Sequence, residues 1–571
     1  MAGGGGTAAA ATPALHWLVL LCNLGQLVYY WARIGASGTA AYGQGAMAIT
    51  CIFVVEAIAH VLFPAPHLSV GVMIMVSVVF TILPAEDAAR PIGLHMGSVP
   101  PFCVLWLGAV GILSSEDLVR ALYGSASLRP YHLIVMFLGS VYLCTALERS
   151  GFLHTAALRV VEKYGRSPWG LFWALGIFSG CLTVLIPDDI VTMTLTPITI
   201  RMCQLLNLPE IPYLFSQFFA GNIWAVTLVT GNPTNVLLAE DLGDTFVSFA
   251  GRMGIPGVCA GLVSFLLMWL TNRDVINGVV AASGKEQSMS ELTSPSDKAS
   301  RGLLGHEGGC DSSGSSSGGE AVAAAPRRSD DVEGGGGSGG GRGGGGSRDF
   351  TRHGVFCLVR VLTATLICAL ENVHGLPVYK VVLIMGLASF GFDALVSREG
   401  ALDVLAHMPW ELFSFVTGFL VLAEAMSITG VSLWLASVFL ASVSSRSVAY
   451  ISGFTTMLFC NTFETLPATL IVFKMIDSVP QWKAEHILRA APAAGRLLKD
   501  ARRAALSAVI FGSNFGANTA CIGSLGGLMM RRLASQQGVT VTNGMLLKQG
   551  IPVMIPTMLV ACYVLIHQKE I

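Results

Sequence analysis

The chain has 571 residues, of which 53% are hydrophobic and only 12% charged, with a formal net charge of −1. Soluble domains carry about 25% charged residues, so most of this chain is built for surroundings other than water. The near-neutral balance excludes nucleic acid as a partner. Crossing about 30 Å of hydrocarbon takes about 20 predominantly apolar residues. Such runs lie near 15–34, 46–63, 67–84, 98–114, 131–148, 168–186, 190–206, 213–238 and 253–271. They resume near 354–371, 376–395, 408–427, 431–444, 447–475, 505–530 and 550–567. Some are expected to be re-entrant hairpins or broken helices, leaving about 11 to 13 true crossings.

The Gly/Ala-rich segment Met1–Pro13 lacks the basic region of a secretory signal, so the run that follows reads as a span. Between the two groups of spans, residues 273–352 are Gly/Ser-rich and charged, with Gly334–Gly337 and Gly343–Gly346 as runs. That composition offers too little apolar surface to offset the entropy of ordering and reads as a flexible loop; serine phosphorylation is the regulatory alternative. The 13 cysteines lie mostly in apolar runs, as at Cys51, Cys144, Cys181, Cys460 and Cys521, with no CxxC pair. They read as small buried side chains, and neither a metal site nor a cofactor is expected.

The two groups of spans share their punctuation. Gly139 and Gly151 are twelve residues apart, as are Gly418 and Gly430. Ser179-Gly180 matches Ser452-Gly453, and eight residues after each glycine come Asp188-Asp189 and Asn461-Thr462. Asn222 to Gly231 and Asn514 to Gly523 both span nine, and Gly254-Ile255-Pro256 matches Gly550-Ile551-Pro552. The organisation read from this is a tail with leading helices (1–130), a first repeat (131–272), the loop (273–352) and a second repeat (353–571). Paired repeats, commonly inverted, hold a substrate at their interface near the bilayer midplane.

Within the repeats, Gly231-Asn232-Pro233-Thr234-Asn235 interrupts an apolar run. Pro removes a donor and Gly opens the backbone, so a helix is expected to break there. Broken backbone at membrane depth survives only inside protein or beside a watered cavity. Its freed N–H groups and the positive end of the next half-helix suit an anion or a polar neutral solute, with Asn232, Thr234 and Asn235 adding side-chain donors and acceptors. The bland alternative is a turn at the membrane surface; recurrence of Gly523-Ser524 at the matching position favours a binding role. Carboxylates at membrane depth mark ion or proton paths. Asp188 and Asp189 repel when both are ionised, which suits proton carriage. Asn461, Thr462 and Glu464 occupy the matching region, and Glu424 is a further intramembrane acid. Glu56 and Asp393 are weaker cases near span ends.

At "DDIVTMTLTPITIRMCQLLNLP", "TGNPTNVLLAEDL" and "FGANTACIGSLGGLMMRRLASQQG" the sequence resembles the ion transporter superfamily. That group includes arsenite/antimonite permeases, silicon efflux transporters, the melanosomal P protein, sodium/proton antiporters and dicarboxylate/sodium symporters. The "GANTACIGSLGGL" stretch is most similar to the arsenical-pump permease branch, and "TMTLTPITIRMCQLLNL" is also close to the P-protein branch. The resemblance covers roughly 130–272 and 354–567. It implies an all-α polytopic membrane protein of two inverted repeats, each with a re-entrant hairpin and a broken helix, working as a secondary active transporter. Asn461-Thr462 resembles the family's hairpin motif, and Gly231–Asn235 and Gly523–Gly527 its broken-helix motifs. Two departures stand out. Asp188 stands where Asn is often found, and Gly-Ser-Leu-Gly-Gly carries no Asn at its end, making one side of the site less polar. Both weigh against a symmetric two-cation site and favour proton over sodium coupling.

The leading expectation is export of a small oxyanion or metalloid, such as arsenite, antimonite or silicic acid, in exchange for protons. The substrate would be held by Gly231–Asn235, Asn461, Thr462, Gly523 and Ser524. The coupling proton or sodium ion would be carried by Asp188, Asp189, Glu464 and Glu424. Alternatives are a sodium-coupled dicarboxylate or sulfate carrier, and a sodium/proton antiporter or anion channel. No nucleophile elbow, His-rich motif or phosphate-binding loop points to an enzyme. The expected partners are the lipid bilayer, the inorganic solute and the coupling ion. The resemblance also admits a homodimer and an accessory ATPase, in a plasma or organelle membrane.

Overall fold

The computed structural model describes residues 66–82, 97–124, 129–165, 167–293, 351–440, 447–479 and 492–568. The expected spans near 15–34 and 46–63, Glu56 and most of the 273–352 segment lie outside the described residues. All regular structure among the described residues is helical. In chain order the helices are α1 (Pro66–Ile82), α2 (Val99–Ala109), α3 (Ser115–Tyr123), α4 (Tyr131–Arg149), α5 (Phe152–Tyr164), α6 (Pro168–Thr183), α7 (Asp188–Leu205) and α8 (Glu210–Trp224). Two 3-10 turns (Ala225–Thr227, Val229–Gly231) lead to α9 (Pro233–Asp241) and α10 (Phe246–Thr293). Next come α11 (Arg352–Ala369), α12 (Glu371–His374), α13 (Val378–Val396), α14 (Arg398–His407), α15 (Trp410–Ile428), α16 (Val431–Phe439), α17 (Val448–Phe463), α18 (Thr465–Ser478) and α19 (Pro492–Gly516). A 3-10 turn (Cys521–Gly523) leads to α20 (Leu525–Gln536) and α21 (Asn543–His567).

Among the described residues, six helices are long and apolar enough to cross a membrane: α4, α10 (over Phe246–Ala281), α11, α13, α15 and α21. Their outer faces remain apolar: on α13, Ile384, Leu387 and Leu395 are exposed. Such a surface is stable against hydrocarbon and costly against water. The protein is an all-α, multi-pass integral membrane protein. Two compact units divide the chain, one formed by Met1–Asn277 with Phe350–Ile571 and the other by Gly278–Asp349. α10 continues as helix past residue 273, where sequence reasoning begins the loop, to Thr293, the last described residue of this segment. No proline interrupts 274–293.

The order of elements from α4 to α10 recurs from α15 to α21. α4 and α15 have 19 residues each, and α6 and α17 have 16 each. α5 and α16 both start after a left-handed glycine, Gly151 (φ 75, ψ 4) and Gly430 (φ 78, ψ 4). α11–α14 precede the recurrence. Small residues set the packing inside each half, as is usual where lipid gives helices no hydrophobic reason to associate. A Cβ on Gly180 would stand 2.8 Å from the Trp224 ring, which joins α6 to α8. A Cβ on Gly512 would stand 2.4 Å from the Gly453 carbonyl oxygen, which joins α19 to α17.

Candidate functional site

The runs near 213–238, 447–475 and 505–530 are each interrupted, and these interruptions meet the Asp188 turn at one cavity. α7 begins at Asp188, directly after Pro187. α18 begins after Glu464, which has φ +73 and ψ 164. This conformation costs a residue with a Cβ about 1–3 kcal/mol. The Glu464 carboxylate turns back to accept the Leu466 N–H at 3.0 Å and so caps the helix it starts. α9 and α20 begin after extended residues, Asn232 (φ −150, ψ 141) and Ser524 (φ −157, ψ 159). The N-termini of four helices therefore surround one cavity of about 40 Å³.

Asp188, Asp189 and Glu464 line this cavity together with Asn232, Thr234, Thr465 and Ser524. Its opposite wall is apolar: Phe137 from α4, and Leu412, Phe415 and Val416 from α15. No Lys, Arg or His is among the described residues that line it. Asn232 donates its amide to Asp188 Oδ2 at 3.1 Å, and the Asp189 N–H donates to Asp188 Oδ1 at 3.0 Å. Asp189 accepts the Gly526 N–H, and Glu464 accepts the Leu525 N–H. The first N–H groups of a helix have no partner within it; here two of those of α20 serve Asp189 and Glu464. Ser524 Oγ takes the Gly527 N–H at 3.0 Å.

Below the cavity the halves are tied by side-chain amides. Asn235 donates to the carbonyls of Ala225 (2.8 Å) and Leu228 (3.0 Å) at the helix break. Asn514 donates to Asn235 Oδ1 at 3.2 Å, and Asn222 donates to Asn518 Oδ1 at 2.9 Å. Thr234 and Ser513 share a hydroxyl hydrogen bond at 3.1 Å. Buried amides with partners on two helices hold one arrangement, because any other leaves them unpaired.

Of the residues singled out by sequence, the structure brings together Asp188, Asp189, Asn232, Pro233, Thr234, Glu464 and Ser524. Gly231, Asn235 and Gly523 lie behind this surface and shape it. A Cβ on Gly231 would stand 2.3 Å from the Ala225 oxygen, and one on Gly523 would stand 2.8 Å from the Gly516 oxygen. Asn461 and Thr462 sit in the last turn of α17 before Glu464 and do not line the cavity. Asn461 donates to Met457 O at 2.7 Å, and Thr462 is exposed. The hairpin tip is thus Glu464-Thr465, three residues beyond the pairing made by counting from Gly453, because α17 runs on through Phe463. Glu424 lies outside the cavity and accepts from Lys474 Nζ at 2.7 Å. Asp393 accepts from Arg360 Nη1 (2.8 Å) and from the Tyr142 hydroxyl (3.0 Å), tying α13 to α11 and α4.

Sequence reasoning did not find Thr465, the apolar wall or the cross-half amides. Asn222 and Asn514 were visible only as spacing markers, and Phe137, Leu412, Phe415 and Val416 look like any lipid-facing run. The reading that the second broken helix is less polar also changes: Gly526 and Gly527 lack side chains, so α20 presents backbone N–H groups instead.

A family model described as a citrate transporter matches residues 50–495. An uncharacterized transporter of Mycobacterium tuberculosis is 23% identical over 204 residues, 35% of this chain and 46% of that protein. The P protein of Homo sapiens is 28% identical over 158 residues, 26% of this chain and 18% of that protein. The P protein of Mus musculus is 27% identical over 147 residues, 24% of this chain and 17% of that protein. The chain thus spans about half or less of the length of the curated relatives it matches. With the family match covering most of the chain, the protein belongs to the citrate transporter (CitMHS) family of membrane transporters, within the ion transporter superfamily.

Proposed function

We propose that the protein is a proton-coupled secondary transporter exporting a small metalloid hydroxide or oxyanion, with arsenite, antimonite and silicic acid as the chemical class. The observation that carries this reading is the cavity itself: three carboxylates, helix N-termini and hydroxyls, with no basic side chain among the described residues that line it. A neutral polyhydroxyl solute donates its O–H groups to Asp188, Asp189 and Glu464 and accepts from hydroxyls and backbone N–H groups. An unaccompanied multivalent anion fares worse. Two like charges 4 Å apart repel by about 4 kcal/mol at an effective dielectric constant of 20, and three acids multiply that cost.

Protons enter as the partner ion. A carboxyl that takes a proton from one side loses its charge, and its hydrogen bond to Asn232 or to the α20 backbone reverses or weakens. Release to the other side restores the charge and the bond. Residues 131–272 and 353–571 act as two repeats, inverted in the membrane, whose relative rocking or elevator movement exposes the cavity alternately. Citrate is the second reading, favoured by the family description. In this cavity it would enter only with enough cations or protons to offset the acids.

The test uses purified protein in sealed liposomes with an imposed pH gradient, offered silicic acid, arsenite, or citrate with and without Mg²⁺. Gradient-dependent flux of a metalloid supports the proposal. Flux of citrate alone replaces it with the second reading.

A further inference from the structure

We infer that the His132–Glu240 pair is a protonation-sensitive latch that fastens the end of α9 to α4 and α13. His132 stands at the start of α4, and its Nδ1 meets Glu240 Oε1 near the end of α9. Both side chains are largely covered, at 8% and 22% exposure. The imidazole stacks on Tyr379 at the start of α13, with ring centroids 3.7 Å apart and 13° between planes, and Tyr131 meets its edge at 4.3 Å. Its other nitrogen, Nε2, is buried without a partner, so Glu240 is the hydrogen bond that anchors the ring.

The same helices reach the cavity. Phe137 lies five residues along α4 from His132, and α9 starts at Pro233 and Thr234. The latch therefore joins a wall helix to a helix whose N-terminus holds the site. The other fastenings of this end of the chain differ in kind. Arg502 pairs with Asp241 at 2.8 Å, Arg503 with Asp244 at 3.2 Å, and Arg252 also pairs with Asp244. Arginine keeps its charge at every accessible pH, whereas histidine changes charge between about pH 5 and 8. Among these contacts, only the tie to α4 runs through a histidine.

The sign follows from the charges around it. Arg129 and Lys380 face His132, and Asp241 adjoins Glu240, which also accepts the Arg129 N–H. With the carboxylate ionised, the imidazole N–H and Glu240 make a charge-assisted hydrogen bond. A proton taken up by the carboxyl replaces it with a weaker neutral bond, because Arg129 and Lys380 beside the covered ring disfavour an imidazolium. Acid thus loosens α9 from α4 while the arginine pairs keep it on α19.

Amide hydrogen exchange tests this in nanodiscs at about pH 5.5 and 7.5, corrected for the intrinsic rate. It needs no knowledge of the solute and stands or falls separately from the transport proposal. In the wild type, protection across 233–243 should fall about 10- to 100-fold at the lower pH, the range set by a hydrogen bond to a charged group. Residues 525–536 should show no such change. His132→Gln and Glu240→Gln, which keep a polar side chain without the titration, should lower protection at the higher pH and abolish its pH dependence. Equal wild-type protection at both pH values would overturn the latch without any variant. So would variants that retain the wild-type pH dependence; a structural role alone would shift both pH values equally.

Discussion

α9 and α20 start from the same backbone device and use it differently. Each follows a 3-10 turn and an extended capping residue whose side chain accepts an N–H from the new helix: Asn232 from Thr234, Ser524 from Gly527. α9 places Pro233 first, which has no N–H, and meets Asp188 through the Asn232 side chain. α20 begins Leu525-Gly526-Gly527 and meets Glu464 and Asp189 through its backbone. The same backbone geometry thus carries different chemistry, one arm meeting the acids with a side chain and the other with main chain. The acids diverge in parallel: a regular first turn carries Asp188 and Asp189, and a strained φ carries Glu464.

The largest expected effect tests whether the two arms are functionally equal. Asp188→Asn with Asp189→Asn, and separately Glu464→Gln, should each reduce gradient-driven flux to that of protein-free liposomes while size-exclusion profiles stay unchanged. Glu424→Gln, outside the cavity, should retain flux. Full coupling in Glu464→Gln would mean that only the first arm carries protons.

A smaller effect separates side-chain from main-chain reading. A Cβ on Gly526 would stand 3.0 Å from Asp189 Oδ1, so Gly526→Ala must push the carboxylate off its N–H. Flux should drop about 10- to 100-fold, the value of one hydrogen bond to a charged group. Pro233→Ala replaces a residue whose missing N–H is harmless at a helix start and should leave flux near wild type.

Next come the turns themselves. Gly231→Ala and Gly527→Ala place a Cβ 2.3 Å and 2.6 Å from the Ala225 and Cys521 oxygens. Each should destabilise by about 1–3 kcal/mol, read as a lower midpoint of thermal unfolding in detergent. The smallest effect concerns Gly151→Ala and Gly430→Ala, where space is open and only the left-handed backbone objects. About 1 kcal/mol is expected at each, and matched values would confirm that the two caps are equivalent.

These particulars show where sequence reasoning reaches. Glycine and proline carry backbone information directly, so the break at Gly231–Asn235 and its recurrence at Gly523 were legible, whereas Gly151 and Gly430 showed only as matched spacing. Hydropathy gave the membrane class because lipid demands apolar length. Of the matching region Asn461, Thr462 and Glu464, only Glu464 lines the cavity, because nothing in "CNTFETLP" forbids helix until Glu464 adopts φ +73. The apolar wall stayed hidden because a phenylalanine facing a cavity and one facing lipid are written with the same letter. His132 showed no ligand spacing in sequence, since its partners come from α9 and α13.

The central claim is that Asp188, Asp189 and Glu464 carry the coupling proton. The direct measurement is the internal pH of sealed proteoliposomes, followed with a trapped dye while arsenite or silicic acid is added without an imposed gradient. The account predicts a solute-evoked proton movement opposite to the solute, absent in Asp188→Asn/Asp189→Asn and in Glu464→Gln. Solute flux that proceeds with no pH change, or a proton movement that survives in those variants, would contradict it.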